Sequence, residues 1–312
     1  MKNSTVLITG GTGFIGNALV KNMKSQGFTN VVAVNSKDYN LTSQDEAAKL
    51  FDSIKPQYVI HLAAKVGGIA DIVTHPADYY YENLLMCSFV LEQCSKHNVK
   101  KLIAVGTNCS YSDNIPVPFK EEDLFNGTPQ EANASYGFAK RAFYQLCMAY
   151  KKQYGQDFIY LIPANAYGTN DHFDEKSGHV IPSLIKKFSD AANTDSEVSL
   201  WGSGNATREF IYIDDLCNLI IKAMLNYNDT EPLNIGTDSE TSIKELAGIV
   251  ASLTGYKKRI IWDTTKPEGY MRKCLDSSKM KSHLGEYQFT ALYDGLAKTV
   301  DWAYENNIIK RC

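Results

Sequence analysis

The sequence predicts a doubly wound α/β fold of Rossmann type, with a smaller α/β lobe interleaved with it. Short β-branched runs alternate with longer helical patterns through the first half. A glycine-rich turn stands between the first run and the first helical pattern, and the alternation breaks down around Gly168 to Gly204. With 312 residues, 44% of them hydrophobic and 21% charged, the chain can fill two cores.

In order, Thr5 to Thr9 reads as a strand and Phe14 to Ser25 as the helix after the glycine turn. Val31 to Val34, then Ser43 to Ile54, form the next pair; Tyr58 to Leu62, then Pro76 to His97, the third. Leu102 to Val105 is the fourth strand. Strands alternating with helices of this length imply right-handed βαβ units and a parallel sheet. A turn-rich stretch from Tyr111 to Ser135, with Pro116, Pro118, Gly127 and Pro129, precedes the helix Tyr136 to Tyr154. Loops that long in a compact domain are usually functional. The strand Phe158 to Ile162 follows. Residues 1–165 and about 205–230 are assigned to a dinucleotide-binding domain, and about 166–204 and 231–312 to a substrate-binding domain, the two packed around a cleft.

A net charge of −3 without long runs leaves no footprint for nucleic acid or an anionic membrane, so a small molecule is the expected partner. Seven scattered cysteines without a C-x-x-C pair argue against a disulfide framework or zinc ribbon and for a reducing cytoplasm. No signal segment or membrane span is expected, so the mature chain should begin near Met1. Nor does any H-x-x-x-H or carboxylate cluster suggest a metal.

The chemistry begins at Thr9-Gly10-Gly11-Thr12-Gly13-Phe14-Ile15-Gly16, with glycines at 10, 13 and 16. Between strand and helix, such glycines let backbone approach a pyrophosphate at a helix N-terminus. The second strand ends in Asn35-Ser36-Lys37, with no carboxylate before Asp38. A hydroxyl and a cation at Ser36 and Lys37 suit a 2′-phosphate, which favours NADP(H) over NAD(H). Tyr136 and Lys140 share one helix face. The ammonium and a cationic nicotinamide ring would both favour tyrosinate, lowering the phenol's pKa towards working pH and making Tyr136 a proton donor to a carbonyl oxygen. Thr107, just beyond the fourth strand, could bind the same oxygen. Cys109 lies two residues on, at the carboxyl edge where ligands bind in such folds; the other six cysteines are expected to be packing residues. His179 could relay protons near neutrality. His61, in a buried strand, is expected to be structural, and nothing assigns a role to His75, His97, His172 or His283.

Thr9 to Gly16, His61-Leu62-Ala63-Ala64-Lys65-Val66-Gly67-Gly68-Ile69, Tyr136-x-x-x-Lys140 and Trp201-Gly202-Ser203-Gly204 with Arg208-Glu209-Phe210 together resemble the extended short-chain dehydrogenase/reductases, and among them the GDP-L-fucose synthase family. The likeness continues through Asn234-Ile235-Gly236-Thr237, Ser242-Ile243-Lys244-Glu245-Leu246 and Lys266-Pro267-Glu268-Gly269. The resemblance implies an NADPH-dependent enzyme that epimerises a GDP-4-keto-6-deoxy sugar at C3 and C5, with Cys109 and His179 exchanging protons, and then reduces C4. It implies cofactor contacts from Gly10 to Gly16 and from Ser36, Lys37, Leu41, Ala63, Ala64, Lys140, Pro163, Asn165 and His179. Substrate contacts would come from Asn165, Lys187, Trp201, Arg208 and Glu268. It also implies a homodimer built on helices Pro76 to His97 and Tyr136 to Tyr154.

Three departures from the family pattern lie where the sugar should bind. Thr107-Asn108-Cys109 stands for Ser-x-Cys and runs on into Ser110-Tyr111-Ser112-Asp113; Lys187 stands for an arginine; and Gly168-Thr169-Asn170-Asp171-His172-Phe173 replaces Gly-Pro-His-Asp-Asn-Phe. A reductase acting only at C4, on a GDP-4-keto-6-deoxyheptose or related sugar, is the alternative expectation. A non-catalytic NADP(H) sensor is a remoter one.

Overall fold

The computed structural model describes residues 1–173, 179–266 and 269–311. Its first half runs β1 (Val6–Thr9), α1 (Phe14–Ser25), β2 (Val31–Val34), α2 (Gln44–Ile54), β3 (Tyr58–His61), α3 (Ile69–Thr74), α4 (Pro76–Lys96), β4 (Lys101–Val105), α5 (Ala134–Tyr154) and β5 (Phe158–Pro163). The second half comprises β6 (Asn165–Tyr167), α6 (Val180–Thr194), β7 (Val198–Trp201), β8 (Thr207–Tyr212), α7 (Ile213–Asn226), β9 (Leu233–Ile235), β10 (Glu240–Ser242), α8 (Ile243–Leu253), β11 (Ile260–Asp263), β12 (Arg272–Lys273), α9 (Ser278–Leu284) and α10 (Leu292–Glu305).

Every residue of β1, β3 and β4 is buried, as a parallel sheet covered on both faces requires. The six strands run in the order β2-β1-β3-β4-β5-β9, all parallel. Helices α2, α4 and α5 pack side by side, as do α1, α7 and α9. The chain leaves β1 for β2 on one side and returns to β3 on the other, so the carboxyl ends of β1 and β3 flank the topological switch point.

A smaller sheet, β10-β8-β12 with β6 also pairing β8, and the pair β11-β7 build the second lobe with α6, α8 and α10. The helix α8 opens on a side-chain cap, the Ser242 hydroxyl accepting from the Glu245 N–H at 3.1 Å.

Two strands differ from the sequence-based assignment of lobes. Leu233–Ile235, expected in the substrate lobe, is the sixth strand of the large sheet, paired with β5 through Leu161↔Leu233. Its three residues are fully buried, and burial against β5 and α9 decides the side. Conversely, Thr207–Tyr212 belongs to the smaller sheet, although α7 straight after it packs on α1. The six-residue helix α3, directly behind Gly67-Gly68, is a further element that periodicity did not disclose.

The stretch between β4 and α5 is ordered by three short 3-10 turns and by long-range bonds. The buried Arg141 donates to the Ser110 carbonyl and to the Gly127 carbonyl, each at 2.7 Å. Asn234 on β9 accepts from the Tyr111 hydroxyl at 2.8 Å and donates to the Phe119 carbonyl at 2.9 Å.

Candidate active site

The glycine turn crosses the switch point. Gly10 has a φ of +66°, and a Cβ there would stand 2.8 Å from the Ala63 nitrogen at the end of β3. A Cβ on Gly16 would strike the Gly10 carbonyl oxygen and come within 2.6 Å of the Gly11 Cα. Only bare backbone fits, and the space it leaves faces the start of α1. Gly13 caps that helix without any side-chain acceptor, and no acidic residue lies in its first turn. Free N–H groups and the positive dipole end therefore point at the crevice, and both fit a pyrophosphate. Phe14 and Leu41 are buried, Ala63, Ala64 and Pro163 half-buried, and Ser36 and Lys37 exposed beyond β2.

The carboxyl end of β4 delivers the second group of residues. Thr107 caps the 3-10 turn Asn108–Ser110, its hydroxyl accepting the Cys109 N–H at 3.2 Å, which leaves the hydroxyl hydrogen for another acceptor. Six described cysteines are free, and Cys109 alone among those six is half-buried, the other five being buried. Its sulfur lies 3.7 Å from the Asn108 Oδ1 and 3.7 Å from the Lys273 Nζ. The Asn108 amide donates to Asn165 Oδ1 at 3.4 Å, and Asn165 in turn donates to the Glu209 carbonyl at 2.8 Å.

Tyr136 and Lys140 stand on the first turns of α5, with the ammonium 5.8 Å from the phenol ring centroid. Against expectation, the Tyr136 pKa does not lie towards working pH, because burial dominates it. Burial pushes the phenol well up, with the nearby thiols and Tyr79 acting in the same direction. The Lys140 ammonium instead donates to the Val105 carbonyl at 2.9 Å, and burial lowers its own pKa. Tyr136 is thus held protonated, as a proton donor must be.

The second lobe closes the site from the other side. In β8 and β12, Arg208 and Lys273 are register partners, so both reach the Cys109 side of the cleft. The Arg208 guanidinium donates to the Thr207 and Tyr270 carbonyls at 2.7 Å, and burial lowers its pKa. The buried Glu209 carboxylate anchors this edge, accepting the Leu275 and Asp238 N–H groups at 2.9 Å and that of Thr237. Burial raises its pKa against those bonds. Lys187 donates to the Ser199 carbonyl at 3.3 Å, and Trp201 presents a ring that is 66% exposed, with the Lys266 ammonium 6.0 Å from its centroid. Glu268 and the Ser177-Gly178 pair before His179 lie outside the described residues.

His179 precedes α6, its ring centroid 6.5 Å from that of Phe14. No hydrogen bond among the described residues joins it to Cys109. Its Nδ1 lies 3.2 Å from Asp171 Oδ1, and that bond raises the imidazole's pKa, outweighing partial desolvation. His61 is structural as expected: Thr9 Oγ1 meets its Nδ1 at 2.7 Å, and burial, then the Lys140 charge, holds its pKa down to about 3. Lys273, Asp171 and Asn108 are the site residues that sequence reasoning missed. Asp171 had one signal, its place in a loop already singled out, whereas Lys273 had none.

The crevice of this fold, lined by a hydroxyl, a phenol and an ammonium, defines a dinucleotide-dependent oxidoreductase of the short-chain type. The chain belongs to the NAD dependent epimerase/dehydratase family, whose model matches residues 6–236, and within it to the GDP-L-fucose synthase family. It is 39% identical to GDP-L-fucose synthase 1 of Arabidopsis thaliana over 99% of this chain and 96% of that one. Among solved structures it resembles a GDP-L-fucose synthetase from Naegleria fowleri bound to NADP, with a TM-score of 0.93 and 30% identity, covering 100% of this chain and 96% of that one. It also resembles a GDP-6-OMe-4-keto-L-xylo-heptose reductase from C. jejuni, with a TM-score of 0.92 and 32% identity, covering 98% and 99%.

Proposed function

We propose that this protein is an NADPH-dependent enzyme that converts GDP-4-keto-6-deoxymannose to GDP-L-fucose, by epimerisation at C3 and C5 and reduction at C4. The observation that carries the reading is the gathering of Thr107, Cys109, Tyr136 and Lys140 at the carboxyl end of β4 in a chain 39% identical to a GDP-L-fucose synthase. The cradle of Gly10 to Gly16 fits the dinucleotide's pyrophosphate, and Ser36 and Lys37 are free to meet a 2′-phosphate. When bound, NADPH supplies the hydride for C4.

C3 and C5 are both α to the C4 ketone, so their protons are acidic once charge can collect on O4. The Thr107 and Tyr136 hydroxyls are the donors for that oxygen, and the same donors serve the enolate during epimerisation and the alkoxide during reduction. Cys109 and His179 remove and return the carbon protons. Tyr136 gives its proton to O4 in the last step, and the Lys140 ammonium stabilises the tyrosinate left behind. Arg208, Lys187 and Trp201 bind the GDP moiety, cations facing the diphosphate. The reading extends to a homodimer across α4 and α5, which carry the exposed Tyr80, Tyr81 and Tyr154, and free thiols support a reducing cytoplasm. A mass near 35 kDa in gel filtration, that of one chain, would remove the dimer.

A second reading, reduction at C4 alone on a GDP-4-keto-heptose, has one observation in its favour: the likeness to a GDP-6-OMe-4-keto-L-xylo-heptose reductase, with a TM-score of 0.92 and 32% identity. Incubation with GDP-4-keto-6-deoxymannose in deuterated water, without and then with NADPH, separates the two. Deuterium at C3 and C5 and then GDP-L-fucose are expected. NADPH oxidation without deuterium at either carbon would transfer the assignment to the reductase.

A further inference from the structure

The Asp171 carboxylate is almost wholly buried, its side chain 1% exposed, yet among the described residues no lysine or arginine pairs with it. One oxygen accepts the His172 N–H at 2.8 Å. Among the described residues, the other contacts of that carboxylate run to His179 Nδ1, at 3.2 and 3.4 Å. Asn170, with a φ of +66°, turns the chain just before Asp171, after β6. A buried carboxylate costs several kcal/mol unless a cation or donors meet it. Here the partner is a ring that is itself more than half exposed.

We propose that Asp171 is a positioning residue for His179, fixing the imidazole with Nδ1–H donated to the carboxylate and Nε2 left to carry the proton exchanged with the sugar. The catalytic consequence rests on the proposed epimerase-reductase reading; the pairing itself does not. Two groups meet the ring: Asp171 from the loop after β6, and Phe14 from the first turn of α1. Among the described residues, Asp171 is the titratable group whose charge acts on His179, and it favours the imidazolium. An imidazole tied at Nδ1 by a carboxylate is oriented and held in one tautomer, as in hydrolase triads, and a wrong tautomer there is costly.

The test is nitrogen-15 NMR of the full chain, with His179→Gln used to assign the His179 signals, in the wild type and in Asp171→Asn. In the wild type above its titration, His179 is expected as the Nδ1–H tautomer; the Nε2–H tautomer overturns the proposal without recourse to any variant. In Asp171→Asn the His179 midpoint is expected at lower pH. Deuterium exchange at C3 and C5 should slow about 10- to 100-fold, with the high-pH limb of its profile moved the same way and NADPH affinity unchanged within about twofold. An unchanged His179 titration in Asp171→Asn also overturns the proposal. Absence of exchange in the wild type, with the tautomer as expected, would sink the epimerase reading and leave the pairing standing.

Discussion

Lys140→Met should make the protein more stable and nearly inactive at once. Lys140 is 2% exposed, and its ammonium donates to the Val105 carbonyl at 2.9 Å and among the described residues has no carboxylate partner. Its folded-state pKa lies below the unfolded value, so the fold binds this proton less tightly than the unfolded chain does. The resulting cost is present at neutral pH and disappears only as pH rises through the folded and then the unfolded value. Burying an ion costs several kcal/mol after relaxation. One charge-assisted hydrogen bond offsets about 1.5–3 kcal/mol of that, and methionine, of similar length, leaves the Val105 carbonyl bare at about 1 kcal/mol. The net expectation is a gain of about 1–2 kcal/mol in urea unfolding, with NADPH-dependent reduction lowered about 100-fold or more. A lower urea midpoint for Lys140→Met than for the wild type would refute the argument, because it would mean that the ammonium holds the fold together. The cation is kept, on this reasoning, for the tyrosinate it must stabilise during turnover and not for the resting structure.

Gly16→Ala should weaken NADPH binding about 100-fold by fluorescence titration and cost about 1–3 kcal/mol, since its Cβ would come within 2.6 Å of the Gly11 Cα and displace the cradle. Affinity within twofold of the wild type would mean that the turn yields without harm. Glu209→Ala should cost about 3 kcal/mol in urea unfolding, because three backbone N–H groups lose their acceptor. It should also raise the KM for the GDP-sugar, since β8 and β12 carry Arg208 and Lys273; an unchanged KM would show that the edge holds without its anchor.

What could be read in the sequence was local. The helix Phe14–Ser25 and the strand Val31–Val34 have the expected bounds, because glycine punctuation and apolar period act over neighbouring residues. The Thr107–Cys109 turn and the Tyr136–Lys140 spacing could be read for the same reason. Lys273 could not, since it meets Cys109 from 164 residues away and through a two-residue strand. Nor could the direction of the Tyr136 shift, because spacing places an ammonium near a phenol but says nothing of how much water either loses. Strand Leu233–Ile235 is too short to show a period, and only its neighbours assign it a side.

That late strand ties the order of synthesis to the order of assembly. While the chain is being made, the apolar strand Phe158–Pro163 is complete some seventy residues before its outer neighbour, a delay of about 4–14 s at ordinary elongation rates. Through that interval Leu161 to Pro163 form an open edge, of the kind that recruits other strands. A fragment ending at residue 165 would carry the same edge permanently, so the nucleotide-binding half is not a module that can be cut out and moved between proteins.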